Sequence, residues 1–553
     1  MRREPDSDPP ARGSTRPAPE PQTDAIASSC GLVRHVLPLV LAATVAFVAL
    51  TPALRAGFAT VIGQNGDAVL AVGTGHLLKH IPPTGVDPAL PVDRPPLEWR
   101  SKAPIYYALA AISAIAGQDT VTAFPTVAAV MLGLVGIGLF LIAAVLLRAP
   151  PLVALGVLAL LPLNRILMHV AIHPFYNQLW GIFTLPFIFV FGWLFLRSPS
   201  RRSFAGLGLF LVLGLFAYPL MLPFPAVFLG AVGLVTWRER RAAGRPLGWV
   251  EALGLPRLRW WMWVPAAAAA VPVVAVLGRG FAEKLIAATR AVVPGGDLSG
   301  WSGPELPYFP FGRFFGIDAP PALVAPVVVA LFVVGWLGVR RAPRALVAGM
   351  GAVVGAGLFI AVYFLLRGQG ELFYFKDLAF AGPVVTVLAV VGLGGVLARS
   401  SGPAWPRAAT AVALVGLIAL LANGARREIR VTYDFATVDL VKLREWDRSL
   451  PAGASVRIDV PPTGYQLWTW YFLAGRPVSA SAPLGGFTPH PPFGLNADFI
   501  LADNREPRPI DAQGAPVLRS ATYAVYKQAP GTPGPDLSSR SLVYPITKID
   551  LGQ

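Results

Sequence analysis

Apolar runs of roughly 18–22 residues recur along this chain, each long enough to cross a hydrocarbon core of about 30 Å as a helix. Backbone in lipid must satisfy its own polar groups, so such runs confine the chain to a bundle of spanning helices. Of 553 residues, 54% are hydrophobic and 14% charged, a composition too apolar for an ordinary soluble domain. The expected fold class is a polytopic α-helical membrane protein. The net charge of +16 then asks on which side of the bilayer the positive residues fall. No basic run interleaved with aromatics marks a nucleic-acid site. The single cysteine, Cys30, excludes an intrachain disulfide framework and a multi-cysteine metal site. Ala27-Ser28-Ser29-Cys30 lacks the apolar stretch that precedes a lipoprotein cleavage box, so that reading is rejected.

Residues 1-30 are rich in Pro, Arg, Ser and Asp and read as a disordered cytoplasmic tail. The membrane domain is assigned to 31-424. Its spans are His35 to Ala56, Val121 to Leu147, a run from Leu152, Leu179 to Leu196, Phe204 to Leu220, Met221 to Trp237 and Trp260 to Leu277. Runs ending at Arg340-Arg341 and Arg399, with Ala345 to Leu366 between them and Ala408 to Asn423 after, bring the total to about eleven. Arginines cluster on one side, at Arg148, Arg197, Arg201, Arg202, Arg238 to Arg259, Arg340, Arg341 and Arg399. Two long acid-containing loops, 57-118 and 278-320, fall on the other. This asymmetry places the N-terminus in the cytoplasm and the C-terminus outside. Arg426, Arg427 and Arg430 run against the pattern. Within the first long loop two surface helices are expected, joined by the Pro-rich stretch Ile81 to Pro96. The second, Pro104 to Ala116, is short for a span and suits a helix lying on or dipping into the membrane.

From about 425-553 the composition becomes that of a globular α/β domain. Phe435 to Arg448 and Thr463 to Ala474 read as helices. Ser455 to Val460 alternates as a half-buried strand does, and Asp498 to Ala502 and Thr522 to Gln528 read as further strands.

Charged groups near hydrocarbon are expensive and tend to mark function. Asp67 is the first acid after the first span, in Gly63-Gln64-Asn65-Gly66-Asp67. Asn65 would cap a helix and Asp67 would sit in its first turn, where backbone N–H groups favour a carboxylate. It reads either as a catalytic base at the membrane surface or as a solvated helix-start residue. Glu98, Arg100 and Lys102 follow in the same loop. Lys376, with Arg367, is a cation at the outer interface beside aromatics and fits a lipid phosphate. The plainer alternative pairs Lys376 with Glu371 or Arg367 with Asp377. Tyr374 lies in the same run. His169 and His173 are four apart and share a helix face with Asn177 nearby. They read better as a hydrogen-bonded pair lining a polar cavity than as metal ligands, because no carboxylate is close in sequence. Tyr465, Trp468, Trp470 and Tyr471 read either as a sugar-stacking surface or as core. No P-loop, dinucleotide fingerprint, H-E-x-x-H or nucleophile elbow occurs, so no cofactor is assigned, and a divalent metal stays open. A divalent metal would find no clear ligand set.

An Asp just after the first span, two surface helices in a long first outer loop, about eleven spans and an outer C-terminal α/β domain together resemble the GT-C superfamily of integral-membrane glycosyltransferases. Lys102-Ala103-Pro104-Ile105-Tyr106-Tyr107 is similar to that family's Pro/Tyr-rich start of the second surface helix, and the layout resembles arabinofuranosyl- and mannosyltransferase members. The resemblance implies a polyprenyl-phosphate sugar donor, Asp67 in the place of the catalytic aspartate, and a polysaccharide, glycolipid or protein acceptor of the cell envelope. It also implies inversion at the transferred carbon and work at the outer face of the cytoplasmic membrane. Many members carry a second acid after the third span, where this chain has His173-Pro174-Phe175-Tyr176-Asn177. The chemistry agrees. A sugar phosphate leaves already ionised, so one base suffices, whereas a glycoside hydrolase needs two placed carboxylates. Two rival functions remain at this level: a transporter or flippase of a lipid-linked sugar, and a non-catalytic envelope-assembly protein.

Overall fold

The computed structural model describes residues 24–55, 67–80, 103–173, 175–244, 315–317, 320–368, 370–398, 404–430, 438–460, 463–473, 475–481 and 495–531, with Ala282, Ile286, Thr289 and Val293. Among these residues, eight helices are long and apolar enough to cross a membrane, and one bent pair makes a ninth if it is counted as one span. The helices are α1 (Asp24–Arg55), α2 (Asp67–His80), α3 (Ala103–Ile115), α4 (Thr120–Leu141), α5 (Pro151–Leu160), α6 (Arg165–Ile172), α7 (Tyr176–Arg197) and α8 (Arg201–Ala217). They continue with α9 (Pro223–Ala242), α10 (Pro321–Val339), α11 (Arg344–Leu366), α12 (Glu371–Leu397) and α13 (Ala404–Arg430). The expected spans fall on these helices, except Trp260 to Leu277, which lies outside the described residues. The segment Phe204 to Leu220 forms α8, whose 17 residues cover about 26 Å at the helical rise. Helix α1 begins at Asp24, inside the stretch expected to be disordered, and α13 runs on past 424 to Arg430.

Helix α12 is the axis of the bundle. Beyond its first two turns it is apolar around its whole circumference, and from Asp377 to Gly394 every residue is buried, as a helix hydrophobic on all sides must be. Its tightest neighbour is α10. A Cβ on Gly338 would strike the Leu388 carbonyl, and one on Gly392 would strike that of Val334. The two backbones touch only because both positions lack a side chain, a common way to pack helices in lipid, where no hydrophobic force drives them together.

Charged residues seal one end of the bundle. Arg197, closing α7, pairs with Glu239 near the end of α9, and Arg240 Nη2 donates to the Arg197 carbonyl at 2.8 Å. Glu239, an acid among the inner arginines, is thus the counter-charge of one of them. The opposite end gathers the last turn of α1, the break between α5 and α6, and the end of α13, where Arg55 Nη1 lies 3.5 Å from the Ile429 carbonyl.

Helix α3 occupies Ala103–Ile115, as expected for the second surface helix, but Ile105, Leu109, Ile112 and Ala116, which spacing puts near one face, do not all turn inward. Ile105, Tyr106, Leu109, Ala110 and Ser113 are buried, while Tyr107, Ile112 and Ile115 are exposed. A helix apolar on the exposed side as well suits one lying against the bilayer.

The C-terminal region has short helices α14 (Val438–Val441) and α15 (Leu443–Ser449), α16 (Thr463–Phe472), and five strands. These are β1 (Val456–Asp459), β2 (Val478–Ala480), β3 (Phe499–Asp503), β4 (Ala512–Arg519) and β5 (Tyr523–Gln528), in sheet order β2-β1-β3-β5-β4. β1 is parallel to β2 and β3, and β5 is antiparallel to β3 and β4. β2 and β4 had no expectation. β2 has three residues, too few for a pattern, and β4 is an edge strand with little burial. Inside, Arg457 is fully buried against Asp511, at 2.6 and 2.9 Å. Burial alone would raise the Asp511 carboxyl, but its bonds to Arg457 hold it below the usual carboxylate value.

Candidate functional site

The bend between α5 and α6 builds the first part of the site. Leu161–Leu163 tightens to a 3-10 turn containing Pro162, and the chain then turns by 55°. Asn164 caps the new helix, its Oδ1 accepting from the Leu167 N–H at 2.9 Å, which satisfies a backbone donor freed by the break. Helix α6 then presents buried Arg165 and His169 to α13. Glu428 joins them: Arg165 Nε lies 3.1 Å from Oε2, and His169 Nδ1 lies 2.7 Å from Oε1. His169 and His173 stack, with ring centroids 4.9 Å apart and planes 10° from parallel. The two histidines, expected as a hydrogen-bonded pair, stack on each other, and Glu428 meets His169 at Nδ1. Glu428 was missed from sequence because it lies in α13, far from α6 along the chain. Its signal was available: a lone acid in Arg426-Arg427-Glu428-Ile429-Arg430, at a membrane helix end where an ionisable group needs a partner. Among the described residues, no group of three or more His, Cys, Asp and Glu is placed to hold a metal ion.

The second part is a groove of about 630 Å³ between the turn at Tyr218–Phe224, α11 and the start of α12. Its walls are mostly apolar, including Leu222, Phe224, Ile360, Phe364 and Phe373, and the charged residues in its lining are Lys376 and Asp377. The Lys376 ammonium sits 5.6 Å from the ring centres of both Tyr218 and Phe373, a cation held by aromatic faces at an apolar wall. Arg367 stands at the rim, stacked on Tyr363 and donating to its hydroxyl at 3.1 Å, and Tyr363 lines the groove. The alternative Arg367–Asp377 pair does not form: neither Asp377 oxygen has a hydrogen-bond partner among the described residues. Tyr374 is buried and Glu371 is exposed at the first turn of α12. Thr289 and Val293, from the second long loop, also line the groove.

The two parts meet at the start of α7 and α12. Phe175 and Phe375 contact at 5.5 Å between centroids, and Phe375 stands edge-on to His169. Tyr176, Asn177 and Gln178 are all buried there.

The third part is α2, of which Asp67 is the first residue, where the sequence put a helix start. The Asp67 side chain lies outside the described residues, as do Asn65, Glu98, Arg100, Lys102 and most of the second long loop. Ala68, Val69, Ala71 and Val72 bury α2 against the bundle. The C-terminal domain docks on this helix. The Tyr471 hydroxyl meets Thr120 Oγ1 at 3.0 Å and Asp119 Oδ1 at 3.2 Å, Arg444 pairs with Asp119, and His76 stands edge-on to Tyr471. Burial first, then the charges of Arg444, His80 and Lys79, push the His76 imidazole down to about 4. Trp468, Trp470 and Tyr471 are buried, so of the two readings of these aromatics the core one holds, while the Tyr465 side chain lies outside the described residues.

No protein-family model and no curated protein matches the sequence. Among solved structures, the chain is similar to the oligosaccharyltransferase of Archaeoglobus fulgidus in its apo form, at 13% identity and TM-score 0.44, covering 79% of this chain and 64% of that one. It is also similar to the arabinofuranosyltransferase AftD from mycobacteria, at 14% identity and TM-score 0.47, covering 90% of this chain and 40% of that one. The chain spans less than two thirds of the length of either.

Proposed function

We propose that the chain is a GT-C-type membrane glycosyltransferase that moves a sugar from polyprenyl phosphate to a cell-envelope acceptor at the outer face of the cytoplasmic membrane. The observation that carries this reading is the groove of about 630 Å³, apolar over most of its wall and carrying the Lys376 ammonium in its lining. A long apolar chain ending in a phosphate is the ligand class whose two halves match those two surfaces. Lys376 holds the phosphate, Arg367 supports it from the rim, and the loop 278-320, which contributes Thr289 and Val293 to the wall, covers the donor.

Asp67 is the base in this reading. It takes the proton of the acceptor hydroxyl as that oxygen bonds to the anomeric carbon. The bond from that carbon to the phosphate oxygen breaks, and its electron pair leaves with the phosphate. The charge left there is stabilised by Lys376. A single displacement of this kind inverts the carbon. Neither a general acid nor a metal ligand set is required, because the leaving group is already an anion.

The test is a deletion strain, examined by mass analysis of its envelope glycans and its lipid-linked sugars. Glycans lacking a residue, together with accumulated polyprenyl-phosphate sugar on the outer leaflet, are expected. The same sugar lipid retained on the cytoplasmic leaflet would replace the transferase with a flippase. Unchanged glycans and lipids would remove both.

A further inference from the structure

Two buried acceptors have no protein donor among the described residues, and one of them, Asp377, lines the groove. Both Asp377 oxygens and Asn177 Oδ1 are in this state, and each residue is 4% exposed. Helical register brings them together. Phe175 and Phe375 touch at 5.5 Å between centroids. Further along, a Cβ on Gly181 would meet the Phe380 ring at 3.3 Å and Tyr218 at 3.0 Å. Helices α7 and α12 therefore run side by side in parallel from their first turns, and Asn177 and Asp377 both lie in the short interval between these two contacts. Gly181 is one turn after Asn177 and Phe380 about one turn after Asp377, so each acceptor shares the face of its helix that makes the contact. Tyr218, stacked on Phe380 and under the Lys376 ammonium, closes the same interval.

A buried acceptor without a donor costs the fold, and such groups call for an explanation when they cluster. A metal ion has too few ligands here. Lys376 draws an anion to the next residue, which repels an ionised carboxyl. The group that belongs beside both is one carrying hydroxyl donors on the carbon skeleton attached to that anion.

We propose that Asp377 and Asn177 form the sugar subsite of the lipid-linked donor, accepting hydrogen bonds from its ring hydroxyls. The carboxyl turns outward to do so, into the groove it already lines. This inference rests on the donor reading above. It makes these two side chains, one on each helix, determinants of which sugar is used, while Lys376 reads only the phosphate common to all such lipids.

The experiment measures equilibrium binding to the purified full chain in nanodiscs, using sugar-free polyprenyl phosphate and polyprenyl phosphates carrying arabinofuranose, mannose or glucose. Wild-type protein is expected to bind at least one sugar-bearing lipid more tightly than the sugar-free lipid. Asp377→Asn and Asp377→Leu should each weaken that lipid by about ten-fold or more, the scale of a lost charged hydrogen bond, and leave the sugar-free lipid within about two-fold. Lys376→Met should weaken both lipids. Because the carboxyl has no hydrogen-bond partner to lose among the described residues, Asp377→Leu should keep or raise the thermal midpoint, as a residue held for function at the expense of stability does. Equal losses on the two lipids, no preference for sugar in the wild type, or a sharp fall in the midpoint of Asp377→Leu would each overturn the subsite. Failure of the wild type to bind either lipid overturns the donor reading itself, and the subsite with it.

Discussion

At the scale of single residues, the proposed chemistry depends on one carboxylate and the buried network depends on another. Asp67→Asn keeps size and hydrogen-bonding capacity but cannot take a proton, so turnover should fall at least about 10²-fold while expression and donor binding survive. Asp87→Asn and Asp93→Asn, in the Pro-rich connector, should transfer at close to the wild-type rate. Equal rates for all three variants in a purified transfer assay would return Asp67 to a helix-start role. Glu428 is different, because its loss removes the carboxylate paired with Arg165, which is buried at 3% exposure. Glu428→Gln should cost about 3–5 kcal/mol of stability, the usual penalty for stranding a buried charge. Arg165→Met combined with Glu428→Leu should recover much of it. Thermal unfolding in detergent checks both, and a silent Glu428→Gln would mean that the pair is not closed in the membrane. Asp67 was legible because it stands alone after an apolar run. The partnership of Arg165, His169 and Glu428 was not, since linear spacing carries no sign of which helix faces which.

Helices and strands show where local pattern stops being informative. Length and apolarity located the spans, but α12 as the central helix and α8 as a shorter one emerge from packing. The α10–α12 contact predicts that Gly392→Val forces the helices apart, since a Cβ there already meets the Val334 carbonyl. Folded yield and thermal midpoint should both drop, while Gly395→Ala, with open space around it, should be near neutral. The dock between α2 and α16 carries a pH dependence. Burial, then Arg444, His80 and Lys79, hold His76 at about 4 against an ordinary 6.5. The undocked state therefore takes up the proton first. Docking should weaken as pH falls from about 6.5 toward about 4, and should change little on either side of that window. Hydrogen exchange of α2 at pH 7 and pH 5 reads this directly. His76→Gln should abolish the difference, and an unchanged pH response in that variant would place the sensor elsewhere.

Across the whole molecule, the contacts divide the bundle into two ends. The end of α1, the start of α4, the end of α13 and the C-terminal domain share one side, as Arg55 with Ile429 and Tyr471 with Thr120 require. The ends of α7 and α9 share another charged cluster through Arg197, Glu239 and Arg240. The arginine asymmetry predicts that the second cluster faces the cytoplasm. Reporter fusions should accordingly place Arg202, Arg241 and Arg341 inside and Asp87, Asp297 and Asp459 outside, and Asp459 found inside would reverse the assignment and remove the proposed enzyme. The sequence by itself determined the membrane class, the places of the spans, the appended α/β domain and the isolation of Asp67. Each of these follows from hydrophobic length, composition and period along one stretch of chain. Only the tertiary structure decided that Glu428 joins the histidine cluster, that Lys376 lines an apolar groove, and that Asn177 and Asp377 share one interval between two helices. Those relations join residues hundreds of positions apart, and they exist only once helix packing has chosen which faces meet.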